Sequence, residues 1–344
     1  RNPPTTHTHQ TPAKPVHKEK QHADRPPTGR HGIGSVLMLG IAYAASQGGV
    51  ATLIGTPPNA IIAGVVEKTY GISISFLDWM VFALPLSVVM LGLCWLYLTR
   101  IVFVRADLHL PGSQTVIREQ IDRLGAMTRQ EKQVAAVFCT VAALWVLRGL
   151  YQPQGLAMVK DSTIAIGGAL LLFMIPVDIS KGEFLLDWKT AVRVPWDIII
   201  LFGGGFALAQ GFSESGLTLW LAEQLSILQG TGIIMIILAV VLLVVFLTEM
   251  TSNTATASLL LPVMGALAAA IDMNPLGLMV ATVLAASFAF MLPVATPPNA
   301  IVFSTRLVGI TQMATTGFWL NLVGVVMITG FVYLVLPLAW GITL

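Results

Sequence analysis

The chain has 344 residues, of which 55% are hydrophobic and only 10% are charged, and its mean hydropathy is +0.79. Soluble domains carry about a quarter charged residues, so this composition excludes an ordinary soluble domain and predicts an all-α polytopic membrane protein. The net charge of +2 is too small to indicate a nucleic-acid partner. Cys94 and Cys139 lie in apolar runs without metal-binding spacing, which disfavours a disulfide framework or a zinc site.

Residues 1–31 form the first predicted element, a cytoplasmic linker. This stretch is rich in Pro, His, Thr and Lys and has no apolar periodicity. Its four histidines between His7 and His22 are irregularly spaced, which favours a solvated linker over a metal site. The stretch contains neither an initiator Met nor a signal peptide, so we expect that an upstream part of the protein is missing from this chain.

Apolar segments of spanning length follow the linker, and three of them contain helix-breaking sequences. The segments are 33–64, 76–104, 133–150, 162–177, 194–213, 231–268, 275–305 and 315–342. The first contains Gly48-Gly49 and Pro57-Pro58, and the last interrupted one contains Pro293 and Pro297-Pro298. Between them, 231–268 is too long for one span and is divided by TEMTSNTAT. We therefore expect two broken helices and a re-entrant hairpin.

Lysine and arginine counts predict the orientation of the chain. The linker and the loop 100–132 contain six each, and 178–193 contains three, whereas 65–75 and 149–161 contain one each. Positive residues favour the cytoplasm, so the loops near positions 115 and 185 are predicted to be cytoplasmic.

The segment 214–228 alternates apolar residues with Glu214 and Glu223, which predicts an amphipathic helix at the outer interface. The hairpin 231–268 would then enter and leave the membrane from the outside. The C-terminus is predicted to lie outside as well.

The hexapeptide TPPNAI occurs twice, at Thr56–Ile61 and Thr296–Ile301, each time after Ala-Ala-Ser. Proline disrupts a helix interior, and non-helical backbone survives in lipid only where it is buried in protein or lines a cavity. Paired interrupted segments are typical of secondary transporters with internal repeats. Half-helix N-termini suit an anion, and unwound carbonyls suit a cation such as Na⁺.

The polar side chains at these interruptions are hydroxyls and amides, which can contact both an anion and Na⁺. They are Thr56, Asn59, Ser252, Asn253, Thr254, Thr256, Thr296 and Asn299. Glu249 is either a functional group or a support for the hairpin backbone, and the sequence leaves both open. Gly203–Gly205 lacks the lysine of a phosphate loop and indicates close helix packing. Asp197 is interpreted as a helix-start residue at the interface.

Three motifs resemble the divalent anion/sodium symporter family, the sodium-coupled transporters of dicarboxylates, citrate and sulfate. They are ASQGGVATLIGTPPNAI (Ala45–Ile61), TEMTSNTATASLLLPVM (Thr248–Met264) and SFAFMLPVATPPNAIVFS (Ser287–Ser304). The resemblance covers the chain from about residue 32 to residue 344 and implies an inverted-repeat transporter with a re-entrant hairpin and broken helices.

The resemblance implies two repeats. The remainder of the first would be 32–132, with a broken helix 32–64, a span 76–104 and a cytoplasmic loop 105–132. The second would be 133–344, with the hairpin 231–268 and the broken helix 275–305. Only one Ser-Asn-Thr occurs in the chain, so the first repeat is expected to lack its hairpin.

The resemblance also implies site residues. Substrate-binding residues would be Ser252, Asn253, Thr254, Thr296, Pro297, Thr56 and Pro57. Sodium-binding residues would be Gly55, Asn59, Asn253, Ala295 and Asn299, with Gly55 and Ala295 acting through their carbonyls. No catalytic residue is implied, Na⁺ is the co-transported ion, and the expected partners are a small-molecule anion, the lipid bilayer and a second copy in a homodimer.

These observations predict secondary active transport of a di- or tricarboxylate, coupled to Na⁺ by alternating access, in the plasma (inner) membrane. A sodium-independent dicarboxylate exchanger, a sodium/sulfate symporter and a channel remain open alternatives. An intramembrane enzyme is disfavoured because no histidine follows His109 and no nucleophile–base pair is found in the apolar segments.

Overall fold

The computed structural model describes residues 33–103, 113–151, 159–194, 196–225, 227 and 230–344. The predicted linker 1–31 lies outside the described residues, as do parts of the loop 105–132 and of the segment 214–228. The regular secondary structure of the described residues is helical apart from one small two-stranded sheet, which confirms the all-α class.

The first half of the described chain contains six helices and a π-helical turn. They are α1 (Ile33–Val50), α2 (Pro57–Tyr70), α3 (Phe76–Tyr97) continuing into the π-turn Leu98–Val102, α4 (Ser113–Leu124), α5 (Arg129–Leu150) and α6 (Asp161–Met174). Helix α5 begins before the predicted position 133 because Thr128 and Glu131 form a capping box around its first turn. Helix α4 lies within the segment predicted as a loop.

The second half begins with a short antiparallel β-hairpin and continues with helices. The elements are β1 (Pro176–Asp178), β2 (Glu183–Phe184), α7 (Trp188–Ala191), α8 (Trp196–Glu214), α9 (Leu217–Leu225), α10 (Ile233–Thr248), α11 (Asn253–Ala270), α12 (Pro275–Ala286), α13 (Pro297–Ser304) and α14 (Ile310–Trp340). The sequence did not predict this β-hairpin. Its first strand starts at Pro176, which pairs with Phe184.

Four helices in the described ranges are long and apolar enough to cross a bilayer. They are Phe76–Val102, Arg129–Leu150, Asn253–Ala270 and Ile310–Trp340. The protein is therefore a multi-pass membrane protein. Helix α12 is apolar but has only 12 residues, which corresponds to about 18 Å and falls short of the roughly 30 Å hydrocarbon core.

The buried core surrounds α12, whose residues from Leu276 to Ala286 are all buried. Helices α10, α11, α14 and α2 pack around it. Helix α6 lies at the periphery and has no buried residue. Its exposed apolar side chains, such as Met174 at 71%, suit a surface that faces lipid.

The two interrupted helices, α1–α2 and α12–α13, pack against each other and against the α10–α11 hairpin. Helix α1 packs against α13, and α2 packs against α11 and α12. Helices α8 and α9 cover α11 from another side. Gly205 allows this approach, because a Cβ at that position would lie 2.8 Å from the Ser258 Cβ. The predicted packing role is confirmed for Gly205 but is wrong for Gly203 and Gly204, which face open space.

Candidate functional site

The first break comprises residues 51–56, between α1 and α2. Thr56 is the N-cap of α2, and Pro57 and Pro58 occupy the first helical positions, where a missing N–H costs no intrahelical bond. The backbones of Gly49 and Gly55 lie directly against each other and bring the two ends of the break together. A Cβ on Gly55 would lie 2.9 Å from the carbonyl carbon of Gly49 and closer still to its oxygen. Any larger residue at position 55 would force this backbone apart.

Asn59 ties the first break to the end of α1. Its Nδ2 lies 2.8 Å from the Thr52 carbonyl oxygen, 3.3 Å from that of Val50 and 3.4 Å from that of Gly49. The last carbonyls of a helix have no intrahelical partner, and the amide of Asn59 supplies one. The side chain is fully buried, and its Oδ1 has no hydrogen-bond partner among the described residues.

The second break is longer and comprises residues 287–296, between α12 and α13. Thr296 is the N-cap of α13 and accepts a hydrogen bond from the Asn299 backbone N–H at 3.3 Å. The Asn299 Nδ2 donates to the carbonyls of Ala289 at 3.1 Å and Leu292 at 3.0 Å. Its Oδ1, like that of Asn59, is buried and has no hydrogen-bond partner in the part of the chain that the structure describes.

The asparagine of each copy of the repeated hexapeptide therefore makes corresponding hydrogen bonds. Each asparagine binds the carbonyls ten and seven residues before it, which are Gly49 and Thr52 for Asn59 and Ala289 and Leu292 for Asn299. Each leaves a buried amide oxygen available. Carbonyl oxygens have two lone pairs, so the same groups can also accept a cation.

The Glu249 carboxylate binds backbone N–H groups of the second break. It accepts backbone N–H bonds from Phe290 at 2.7 Å, Met291 at 2.9 Å and Leu292 at 3.0 Å. A fourth bond, at 2.7 Å, comes from the Nδ2 of Asn321 on α14. Four donors satisfy a carboxylate that is only 3% exposed. Of the interpretations left open, support of the hairpin backbone is wrong, because the supported backbone belongs to the second break.

The tip of the hairpin is the turn 249–252. Ser252 is the N-cap of α11 and makes no capping bond through its side chain, which leaves that hydroxyl exposed. Asn253 and Thr254 lie in the first turn of α11 rather than in a loop. Backbone N–H groups in a first turn have no intrahelical acceptor and carry partial positive charge.

Thr248 links the hairpin tip to the second break. Its hydroxyl lies 2.8 Å from the Asn253 Oδ1 and 2.9 Å from the Ala286 carbonyl oxygen, so one hydroxyl proton can serve either acceptor. The hairpin and the second break thus meet through Thr248 and Glu249. The first break connects to the hairpin through the packing of α2 on α11.

Burial separates the predicted site residues into three groups. The buried ones are Asn59, Thr254, Ala295, Thr296 and Asn299, and the exposed ones are Gly55, Ser252 and Pro297. Thr56, Pro57 and Asn253 are half-buried. The sequence analysis missed Asn321, which is fully buried. A single amide within the apolar run of α14 was the available signal.

Comparison with known proteins identifies the family of the chain. The family model described as the sodium:sulfate symporter transmembrane region matches residues 13–344. The sodium-dependent dicarboxylate transporter SdcS of Staphylococcus saprophyticus is 43% identical over 327 residues, which cover 94% of this chain and 63% of that protein. SdcS of Staphylococcus aureus strain USA300 is 45% identical over 310 residues, which cover 89% of this chain and 59% of that protein.

The chain spans about three fifths of the length of these relatives. The matched family region includes both TPPN breaks and the hairpin between them. The resemblance drawn from the three motifs is confirmed, and the chain belongs to the sodium:sulfate symporter transmembrane family.

Proposed function

We propose that the protein carries out secondary active transport of a dicarboxylate, coupled to Na⁺ by alternating access. The observation that carries this proposal is the pair of buried, unpartnered amide oxygens of Asn59 and Asn299, each beside unwound carbonyls. Unwound carbonyls and half-helix ends are the groups that coordinate Na⁺ in transporters with broken helices. The names of the relatives, sodium-dependent dicarboxylate transporters, support the same coupling.

One Na⁺ would bind at each break. At the first break, the Gly55 carbonyl and Asn59 would be ligands. At the second, the Ala295 carbonyl, Asn299 and Asn253 would be ligands. Bound Na⁺ would be coordinated by the amide oxygens that lack hydrogen-bond partners, and it would order both breaks before the anion binds.

The dicarboxylate would bind where the half-helices begin. The contacting residues would be Ser252, Asn253 and Thr254 at α11, Thr296 and Pro297 at α13, and Thr56 and Pro57 at α2. Helix N-termini favour carboxylates through free N–H groups and the helix dipole. Lys68 lies in the last turn of α2, and Arg306 follows α13, so both cations are at the far ends of these helices. Co-bound Na⁺ would therefore supply the neutralising charge.

The matching asparagine contacts support a division of the chain into two inverted repeats, 32–132 and 133–344. Lysine and arginine counts support a cytoplasmic linker 1–31, an external C-terminus and insertion in the plasma (inner) membrane. We also propose a homodimer, in which the peripheral apolar helices α5 and α6 belong to a static scaffold. The membrane potential would assist net inward movement of positive charge by about 2.3 kcal/mol per charge per 100 mV.

Uptake of labelled succinate into proteoliposomes tests the proposal, with the protein purified as its gene encodes it. We expect uptake under an inward Na⁺ gradient, little uptake with K⁺, and loss of uptake in Asn253→Ala. Uptake that ignores Na⁺ and requires an internal counter-anion would establish an exchanger instead. Na⁺-driven uptake of sulfate that succinate does not inhibit would establish a sulfate symporter.

A further inference from the structure

One face of α14 supports the backbone of the second break. Gly317, Asn321 and Gly324 are spaced by four and three residues, so they lie on the same side of the helix. We call these three residues the α14 platform. Each of them contacts the break or the carboxylate that holds it.

Gly317 lies directly against the backbone of the break. A Cβ at this position would lie 2.7 Å from the Met291 Cα and closer still to the carbonyl group of Phe290. Those atoms are backbone, which no side-chain rotation can move aside. Substitution by alanine would therefore displace the segment that carries Phe290 and Met291.

Gly324 packs against Phe288 in the second break, and Asn321 binds the Glu249 carboxylate that accepts the N–H groups of that break. A Cβ on Gly324 would lie 2.7 Å from the ring of Phe288, which is fully buried and stacks edge-on against Phe290 at 5.5 Å. The Asn321 Nδ2 donates to the Glu249 Oε1, the same oxygen that receives the N–H groups of Phe290 and Met291. Asn321 thus orients the carboxylate over these amides.

The break is consequently held on two sides. Glu249 and the platform fix its amides, and Asn299 fixes its carbonyls at Ala289 and Leu292. Of the ligands proposed at the second break, the Ala295 carbonyl belongs to the backbone, so it has no side-chain freedom with which to correct a misplaced segment. Groups that orient metal ligands change metal affinity when they are removed, although they do not touch the metal.

We propose that the α14 platform is the positioning surface for the second break and sets the Na⁺ affinity of that break. Gly317 and Asn321 are then positioning residues rather than ligands. The inference rests on the proposed function, because it assumes that the second break is a Na⁺ site.

Two variants and a matched control test the platform. Gly317→Ala pushes on the break, and Asn321→Leu removes the donor to Glu249 at similar volume. Gly330→Ala is the control, because Gly330 lies on the same helix and its Cβ would meet nothing within 4 Å. Three quantities are measured for each protein: the Na⁺ concentration for half-maximal succinate uptake, the KM for succinate at saturating Na⁺, and the Tm as a function of Na⁺.

Both platform variants should raise the Na⁺ concentration for half-maximal uptake by about tenfold. The KM for succinate at saturating Na⁺ should stay within about twofold of wild type, since excess Na⁺ refills the site. The Na⁺ titration of the Tm should shift by the same factor as the uptake. Gly330→Ala should match wild type in all three measurements.

Variants that lower the Tm without Na⁺ but keep the wild-type Na⁺ dependence would overturn the proposal, because the platform would then be purely structural. An equal shift in Gly330→Ala would overturn it too. If wild type shows no Na⁺-dependent uptake, the proposed function fails, while the Na⁺ titration of the Tm still tests the platform. A wild-type protein in which neither the uptake nor the Tm responds to Na⁺ overturns both proposals, whereas a Tm that ignores Na⁺ beside Na⁺-driven uptake overturns the platform proposal alone.

Discussion

The two breaks share a hexapeptide and an asparagine, but different parts of the molecule support their unwound backbone. The first break is short, and the contact of Gly49 with Gly55 and the bonds of Asn59 close it within about ten residues of chain. The second break extends over residues 287–296. Its amides are bound by Glu249, which lies more than 40 positions earlier in the chain.

This difference shows that one repeated motif can be stabilised in two ways. In the first break, glycines bring backbone close to backbone, and helix α1 keeps its own hydrogen bonds as far as Val50. In the second, helix α12 ends at Ala286, and a buried carboxylate replaces the lost helical acceptors. Substitutions far along the chain should therefore disturb the second break most. The first should respond to local substitutions and to those of Trp79, whose Nε1 donates to the Val50 carbonyl at 3.0 Å.

The largest expected effect is that of Glu249→Ala. Its loss leaves the buried N–H of Phe290 and the partly buried N–H groups of Met291 and Leu292 without their acceptor, and a buried group left unpaired costs about 1–3 kcal/mol. We expect a Tm lowered by many degrees and no Na⁺-dependent uptake, measured by thermal unfolding in detergent and by proteoliposome assay. Glu67→Ala is the control, since Glu67 forms only an exposed ion pair with Lys160. A Tm like that of the control would show that the second break does not depend on this carboxylate.

Gly55→Ala tests the local support of the first break. The added methyl group collides with the backbone of Gly49, and overpacking of this kind costs about 1–3 kcal/mol. We expect a strongly raised Na⁺ requirement, measured as the Na⁺ concentration for half-maximal succinate uptake. Gly48→Ala should leave it unchanged, because a Cβ there meets nothing within 4 Å. Equal effects of the two substitutions would contradict the proposed closure of the break by glycines.

Asn59→Ala and Asn299→Ala compare the two breaks directly. Each removes one buried amide oxygen and the ties to two or more carbonyls. We expect each to weaken Na⁺ activation by about tenfold or more, and the Hill coefficient for Na⁺ to fall towards one, as one of two coupled sites is lost. A Hill coefficient that stays at the wild-type value in both variants would argue against one Na⁺ per break.

The smallest effect should come from the ion pair at the far end of α2. The Lys160 Nζ lies 2.5 Å from the Glu67 Oε1, but both side chains are about half exposed. Exposed pairs of this kind contribute about 0–1 kcal/mol, so Lys160→Ala should change neither uptake nor the Tm appreciably. The double variant with Glu67→Ala should equal the sum of the single changes. A large coupling energy in this double-mutant cycle would mean that the ion pair helps to hold α2 in place, and with it the first break.

Composition and motif order were enough to predict the membrane class, the family and the positions at which the helices break. Hydropathy reports that a segment avoids water, whether it lies in lipid or in the protein core, and Pro-Pro after Thr stops a helix and starts another through local geometry alone. The capping box at Thr128 was equally local, although the prediction overlooked it. Asn59 and Asn299 are predicted as site residues from the same repeated motif.

The tertiary structure alone decided what each break is bonded to. An unwound segment has no periodicity, so its sequence cannot indicate which distant carboxylate accepts its N–H groups or which helix face supports it. The pairing of Glu249 with Phe290, Met291 and Leu292, and with Asn321 72 positions away, arises only when α10, α12 and α14 pack together. Burial in a medium without water makes those bonds obligatory, because each unpaired polar group would cost several kcal/mol there.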